Sequence, residues 1–315
     1  MNIRPSNTSD ISKIIKLLKS SLGESLMPKS EAYWQWKHIN NPFGASPVWV
    51  AEEDDQIIGV RAFMQWQWKK NEQVYRAIRA VDTATDPEHQ GKGIFKKLTL
   101  GLLEQCESEG IDLVFNTPNS QSKPGYLKMG WEEAGKLPIQ ISIKKPIKIA
   151  IAKLKGKQET QFLELKNATE YDLPKALSEF KFNFTKSSTW RSFYSIDYLQ
   201  WRYAEIPIIP YYAHFNKKAC VLFRIKSGGL GVEMRICEVF GEQKAIEQLL
   251  DELYDQNDFD YMSISGFEKV KLPGILKQNK NLGPDVTIRT LAEKELIDFQ
   301  GFNNWHPALG DLEVF

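Results

Sequence analysis

The chain has 315 residues, 42% of them hydrophobic, and 41 Lys plus Arg stand against 40 Asp plus Glu, a formal charge of +1. That length supplies cores for two domains of ordinary size. So even a balance argues against a nucleic-acid partner, which a basic excess would mark. Cys106, Cys220 and Cys237 lie far apart without metal-ligand spacing, which reads as a reduced, cytoplasmic protein with no metal. Polar residues interrupt the opening MNIRPSNTSD, so it does not read as a signal peptide. No apolar run approaches the ~20 residues of a membrane helix, so no membrane insertion is expected.

Met1 to Arg4 reads as a strand, and Ile11, Ile14, Ile15 and Leu18 recur at helical spacing after the helix-starting residues Asn7 to Asp10. YWQWKHINNP, residues 33 to 42, packs two tryptophans and a tyrosine into four positions. VWVA at 48 to 51 and IIGVRAFMQW beyond the charged turn at 52 to 56 read as paired strands, and a third runs from about Val74 to Thr85. A glycine-containing loop leads into a helix from about Ile94 to Ser108. IDLVFN is a buried-type strand, a short helix lies near 120 to 129, and a strand near 137 to 143 closes the unit. The segment 143 to 157 holds six lysines and a proline and reads as a solvated connector.

The plan then restarts. A strand at 161 to 166, a helix at 172 to 180, a hairpin through residues 211 to 226, a strand at 232 to 240, a helix at 242 to 254 and a strand at 260 to 266 repeat the earlier order. Tyr33, Gln35, Trp36 and Pro42 recur as Tyr198, Gln200, Trp201 and Pro207, each 165 positions later, and Arg202 answers Lys37. This reads as the duplication of one α/β unit. The expected domains are 1–145, a Lys-rich linker at 146–158, and 159–315. The shared residues read as scaffold, with Trp36 and Trp201 anchoring a helix end in each core. Trp34 and His38 differ from their counterparts Leu199 and Tyr203. With Asn40, Asn41 and Phe43 they are the substrate-binding candidates. Trp66, Trp68 and Trp190 serve either as core or as stacking surfaces for a sugar or a base.

The most informative stretch is AVDTATDPEHQGKGIFKK, residues 80 to 97. Gly91 and Gly93 let backbone N–H groups converge on one point, and the helix from Ile94 adds its positive end, which suits a phosphate; taken alone the stretch reads equally as an ordinary strand-helix turn. Gln90-Gly91-Lys92-Gly93 after Asp86-Pro87 resembles the pyrophosphate loop of the GNAT (Gcn5-related N-acetyltransferase) superfamily. Asn119, Ser122, Tyr126, Gly130 and Trp131 match that superfamily's second signature in every spacing. Phe95 stands where the motif has Gly or Ala.

The resemblance implies two tandem GNAT-like domains, each a mixed, mostly antiparallel sheet flanked by helices. It also implies acetyl-CoA or a longer acyl-CoA as co-substrate. The pantetheine arm would lie along Thr83, Ala84 and Thr85, and the pyrophosphate on Gln90, Gly91, Lys92, Gly93, Ile94 and Phe95, with Asn119 and Ser122 nearby. The amine would attack the thioester directly. Tyr126 is then either the acid that protonates the leaving thiolate or a core tyrosine. Asp82 is either the general base, its pKa raised by small apolar neighbours, or a carboxylate paired with Arg79 or Arg76. His38, His89 and a relayed water are the other bases. His89 reads as a surface residue.

The second half has no Gly-x-Gly loop and no second signature, so that copy is degenerate and would complete the acceptor cleft. Its end, 303 to 315, either caps the second core or folds back onto the cleft. The tandem layout, the GKGIF loop and the element from Trp36 to Gly44 most resemble the branch that N-acylates nucleotide-linked amino sugars for bacterial surface polysaccharides such as lipopolysaccharide. A dTDP-3-amino-3,6-dideoxyhexose would be one such acceptor. Other amines (an aminoglycoside, a protein lysine) and a non-catalytic acyl-CoA-binding regulator are the alternatives.

Overall fold

The computed structural model describes residues 1–23, 27–155, 159–184, 187–267, 269–274, 276–280, 283–292, 299 and 302–312, with backbone alone for 155 and 276–280. Strand β1 (Asn2–Pro5) leads through a capping box at Asn7 into α1 (Ile11–Leu22), whose Ile14, Leu17 and Leu18 are buried. The short helix α2 (Glu31–Trp34) runs into a π-helical turn, Gln35–Ile39. Strands β2 (Val48–Glu53), β3 (Gln56–Lys70) and β4 (Gln73–Thr85) form an antiparallel ladder. Helix α3 (Ile94–Ser108) then crosses to β5 (Leu113–Asn116), which runs parallel to β4, and α4 (Lys123–Lys128) leads to β6 (Glu132–Lys136) and β7 (Ile139–Ile143).

The second half repeats this order. It contains α5 (Pro146–Lys155), β8 (Gln161–Leu163), α6 (Leu173–Glu179), β9 (Arg191–Ser192), α7 (Ile196–Leu199) and a second π-helical turn at Gln200–Ala204. Strands β10 (Tyr212–Phe215), β11 (Ala219–Gly228) and β12 (Gly231–Gly241), helix α8 (Gln243–Gln256), strands β13 (Tyr261–Ile264), β14 (Leu276–Lys280) and β15 (Asp285–Thr290), and helix α9 (Leu309–Leu312) follow.

The two sheets trade a strand. The first is ordered β1-β2-β3-β4-β5-β15-β6, the second β10-β11-β12-β13-β7-β14. Strand β15 of the second half fills the slot between β5 and β6, where Val286 and Thr287 are fully buried. Strand β7 of the first half fills the matching slot between β13 and β14. The strand expected to close the first unit is present, but it closes the second.

Trp36 and Trp201 do not anchor separate cores. Their rings stack on each other, centroids 5.0 Å apart at 16°. Trp36 Nε1 donates to the Trp201 carbonyl at 2.6 Å, and Trp201 Nε1 donates to the Trp36 carbonyl at 2.7 Å. This reciprocity marks a local two-fold relation between the halves. Ser30 and Ser195 cap the two helices alike.

The Lys-rich connector folds as α5 rather than as solvated coil. It buries Ile149 and Ala152, and Lys148 pairs with the buried Asp260 at 3.0 Å. Residues 156–158 lie outside the described ones. The C-terminal segment, expected either to cap the second core or to fold back onto the cleft, packs on both halves: Arg202 donates to the Gly310 carbonyl, and Gly310 lies against Tyr203 and Glu238 of the second half. Trp305 packs edge-on against Trp68, and the fully buried face of Arg79 donates to the carbonyls of Asp311 and Leu312. Trp66, Trp68 and Trp190 are core residues.

Candidate active site

Two irregularities in β4 shape the site. The β3–β4 register passes from Arg61–Thr83 to Ala62–Val81, so Asp82 is the extra residue of a β-bulge, with φ of +34°. A bulge re-aims a side chain, and a non-glycine residue in the left-handed region carries strain. Strand β4 also pairs with β5 only at Ala77–Arg79, so the two strands part beyond that point. The backbone edge of Thr83, Ala84 and Thr85 therefore faces the gap without a partner strand among the described residues.

The bulge aims Asp82 at the first π-helical turn. Lys37 Nζ lies 2.6 Å and His38 Nε2 2.8 Å from the same carboxylate oxygen, Oδ2. On its other side His38 Nδ1 meets Ser46 Oγ at 2.9 Å. Burial pushes the Asp82 carboxyl up, but the Lys37 ammonium and His38 outweigh it and hold Asp82 well below the usual carboxylate range. This reverses the expected shift: the pKa is set by Lys37 and His38 across the fold, not by Ala80 and Ala84. The paired cation is Lys37 rather than Arg79 or Arg76. Burial lowers the pKa of both Lys37 and His38, so His38 is neutral at pH 7. An ionised Asp82 requires a proton on Nε2, which leaves Nδ1 to accept from the Ser46 hydroxyl.

The ion pair carries a stability prediction. Asp82→Asn leaves a buried ammonium without its carboxylate, which costs about 3 kcal/mol. Lys37→Met in the same background should recover part of that loss in urea titrations. A double variant no more stable than Asp82→Asn would mean that the pair does not hold this corner together. The sign with pH follows. A carboxyl held low stabilises the fold above its unfolded pKa, and the neutral-held His38 destabilises the fold once the unfolded histidine protonates. Both effects lower stability as pH falls, His38 from about pH 6.5 downward and Asp82 from about pH 4.

Tyr126 sits across the sheet. It is buried on α4 between Trp131 and the edge-on ring of Phe95. Arg61 Nη1 donates to its hydroxyl at 2.8 Å. That bond occupies a lone pair and leaves the phenol's own proton to donate elsewhere. Arg61 is fully buried, lies over the Phe63 ring at 4.5 Å, and its Nε and Nη2 have no hydrogen-bond partner among the described residues. The Arg61–Thr83 register pair joins this group to the bulge at Asp82.

The loop below β4 fits a phosphate. Gly91 and Gly93 have φ of +77° and +75°, and the space where a Cβ would stand is open. No side chain caps the start of α3 and its first turn holds no acid, so the N–H groups of Ile94 to Lys96 are available to an anion. Gln90 and Lys92 are exposed, and Phe95 is half-buried. Asn119 Oδ1 accepts from the N–H groups of Gln121 and Ser122, which shapes the turn into α4. These residues fit an acyl-CoA: an open strand edge for the pantetheine amides, and a nest of donors for the pyrophosphate.

The remaining candidates are distributed unevenly. Trp34 is buried over the His38 ring, 4.1 Å between centroids. Asn41 is buried and bonds the Gln65 carbonyl and the Phe43 amide. Phe43 stacks on Tyr198. Trp34 and Asn41 are thus enclosed, Phe43 is half-buried, and Asn40 is exposed. His89 lies between Glu53 and Asp86 near the surface. No group of metal-binding side chains occurs among the described residues, and no described helix is long and apolar enough to cross a membrane.

Arg61 and Ser46 escaped the reading of the sequence. Arg61 had a usable signal, a lone cation inside the apolar run IIGVRAF. Ser46 had none.

Residues 2–134 match the profile of the acetyltransferase (GNAT) domain. Among curated proteins, none matches the sequence significantly. Several solved structures share the fold over 92% of the chain. A GCN5-related N-acetyltransferase from Anabaena variabilis aligns with a TM-score of 0.61 and 14% identity over 73% of its own length. A conserved protein of unknown function from Enterococcus faecalis, described as a probable N-acyltransferase, aligns at 0.60 and 11% over 72% of its length. Eis1 from Mycobacterium abscessus aligns at 0.55 and 10% over 74%.

Proposed function

Given that residues 2–134 belong to the GNAT acetyltransferase family, we propose that the chain transfers an acyl group from CoA to the amino group of a nucleotide-linked amino sugar. The observation that carries the reading is the pairing of two proton-handling groups on opposite faces of the parted end of β4. One is Tyr126, fixed by Arg61; the other is Ser46–His38–Asp82. The amine attacks the thioester carbon. Its proton passes to Ser46 Oγ as the hydroxyl proton moves to His38 Nδ1, and Asp82 steadies the resulting imidazolium. Asp82 itself is too weak a base to take that proton, because Lys37 holds it ionised. Tyr126 gives its proton to the departing thiolate. The first domain, 1–145, holds the acyl-CoA, and the second, 159–315, completes the acceptor side in a cytoplasmic enzyme.

The test mixes the full-length protein with acetyl-CoA, 3-hydroxybutyryl-CoA and a panel of amines, and follows free thiol. Nucleotide-linked amino sugars should release CoA fastest. Faster release with aminoglycosides or lysine peptides would replace the acceptor, and CoA binding without release on any amine would leave a regulator. Ser46→Ala should cut turnover about tenfold or more at pH 7, with partial recovery at higher pH where the amine loses its proton unaided. A pH profile identical to wild type would remove Ser46 and His38 from the proton route.

A further inference from the structure

The second half rebuilds the geometry of the first around a space of its own. Strand β12 pairs with β13 only at Glu233–Arg235, and its continuation to Gly241 has no partner strand on that edge among the described residues. It also carries a bulge, at Cys237, where the register passes from Leu222–Glu238 to Phe223–Ile236. Tyr203, 165 positions after His38, donates to Glu238 at 2.7 Å, as His38 meets Asp82. Here no lysine holds the acid down: burial, with Asp311 beside it, pushes the Glu238 carboxyl up to about 8.

At the mouth of this second gap lies a cleft of ≈ 700 Å³. It opens between the end of β12 at Phe240 and Gly241, the start of α8 at Gln243, and the turn at Phe267. In the first half the corresponding place holds the glycine loop. The volume lies within the range of small-molecule sites.

The lining has a definite chemistry. Arg191 and Lys269 face the space, and no carboxylate stands among its described lining residues. The Arg191 guanidinium rests 5.0 Å over the Phe267 ring, and its Nη1 is buried without a hydrogen-bond partner among the described residues. A buried donor in that state is costly unless an acceptor arrives. Phe184 and Tyr194 also line the space, their rings near-parallel at 20° in a row that begins at Phe182, and Phe240 meets both edge-on. Aromatic faces take a planar ring, and forked or paired cations take phosphate. No glycine loop precedes α8, so side chains rather than backbone must hold the phosphates.

We propose that this cleft is a second ligand site for a nucleoside diphosphate group, with the base on the Phe184–Tyr194 wall and the phosphates on Arg191 and Lys269. The group has two sources, a free nucleotide or the nucleotide end of a larger molecule such as a nucleotide sugar.

Calorimetric titrations of ADP, UDP and dTDP into the full chain, with and without saturating CoA, test it. UDP-glucose forms a second arm. One equivalent should bind in the presence of CoA, and Arg191→Gln with Lys269→Gln should weaken it at least tenfold while CoA affinity and the melting temperature hold. Tighter binding of UDP-glucose than of UDP would assign the site to the larger molecule, and the reverse to the free nucleotide. Pyrophosphate binding as tightly as any nucleotide would overturn the role of the aromatic wall. Binding abolished by CoA, binding indifferent to Arg191→Gln and Lys269→Gln, or no binding of any diphosphate would overturn the site itself.

Discussion

A chain ending after Ile143 is expected to be recovered mostly insoluble, with soluble yield down about tenfold or more. It would nonetheless contain every residue of the candidate active site. Without β15 the edges of β5 and β6 stand open, the buried Val286 and Ile288 are missing from the core, and β7 has no sheet to join. The structure also supplies the repair. Asp285 pairs with Lys136, and the Gly283 amide bonds the Leu137 carbonyl, so the end of β6 already meets the start of β15. Residues 1–137 joined by a short Gly-rich turn to 283–292 give the first sheet its own closing strand. That fusion should be more soluble than the truncated chain and should bind CoA. Native-like yield and CoA affinity from the truncated chain would show that the exchanged strand is dispensable.

Tyr126→Phe is expected to lower kcat about 100-fold while leaving the KM for acetyl-CoA near its wild-type value. Arg61 holds the phenol in place beside the parted end of β4, and under the proposed mechanism its loss would make the thiolate leave unprotonated. The substitution also deprives Arg61 Nη1 of its acceptor, at about 1–3 kcal/mol. Activity should therefore be measured well below the variant's melting temperature. Arg61→Lys, which keeps the charge but not the fixed fork, should lower kcat less than Tyr126→Phe. Unchanged turnover in Tyr126→Phe would transfer the acid role to water.

The architecture was legible wherever it depends on local pattern. The recurrence of Tyr33, Gln35 and Trp36 at a fixed offset exposed the duplication, and the strand near 137 to 143 was placed from its own residues. Pattern tells that Ile139 to Ile143 is a strand but not which edge it meets, because pairing joins residues more than a hundred positions apart. The same limit hid the charge state of Asp82. Its sequence neighbours are small and apolar, while the groups that set its pKa, Lys37 and His38, arrive from another element. Trp36 and Trp201 each looked like the anchor of one core, and only their mutual hydrogen bonds show that they share one.

The exchanged strands and the reciprocal tryptophans have a further meaning in terms of assembly. Two identical copies of one half, related by the same local two-fold, would form a closed symmetric dimer. Each would lend its last strand to the other, and the same residues would meet themselves across the axis. Joining them in one chain keeps that dimer intact at any protein concentration, since the partner can no longer diffuse away. It also frees the two faces from obeying one sequence. Lys37, His38 and Asp82 stand on one side, Arg202, Tyr203 and Glu238 on the other. A symmetric pair could never hold these two versions of a buried acid at once.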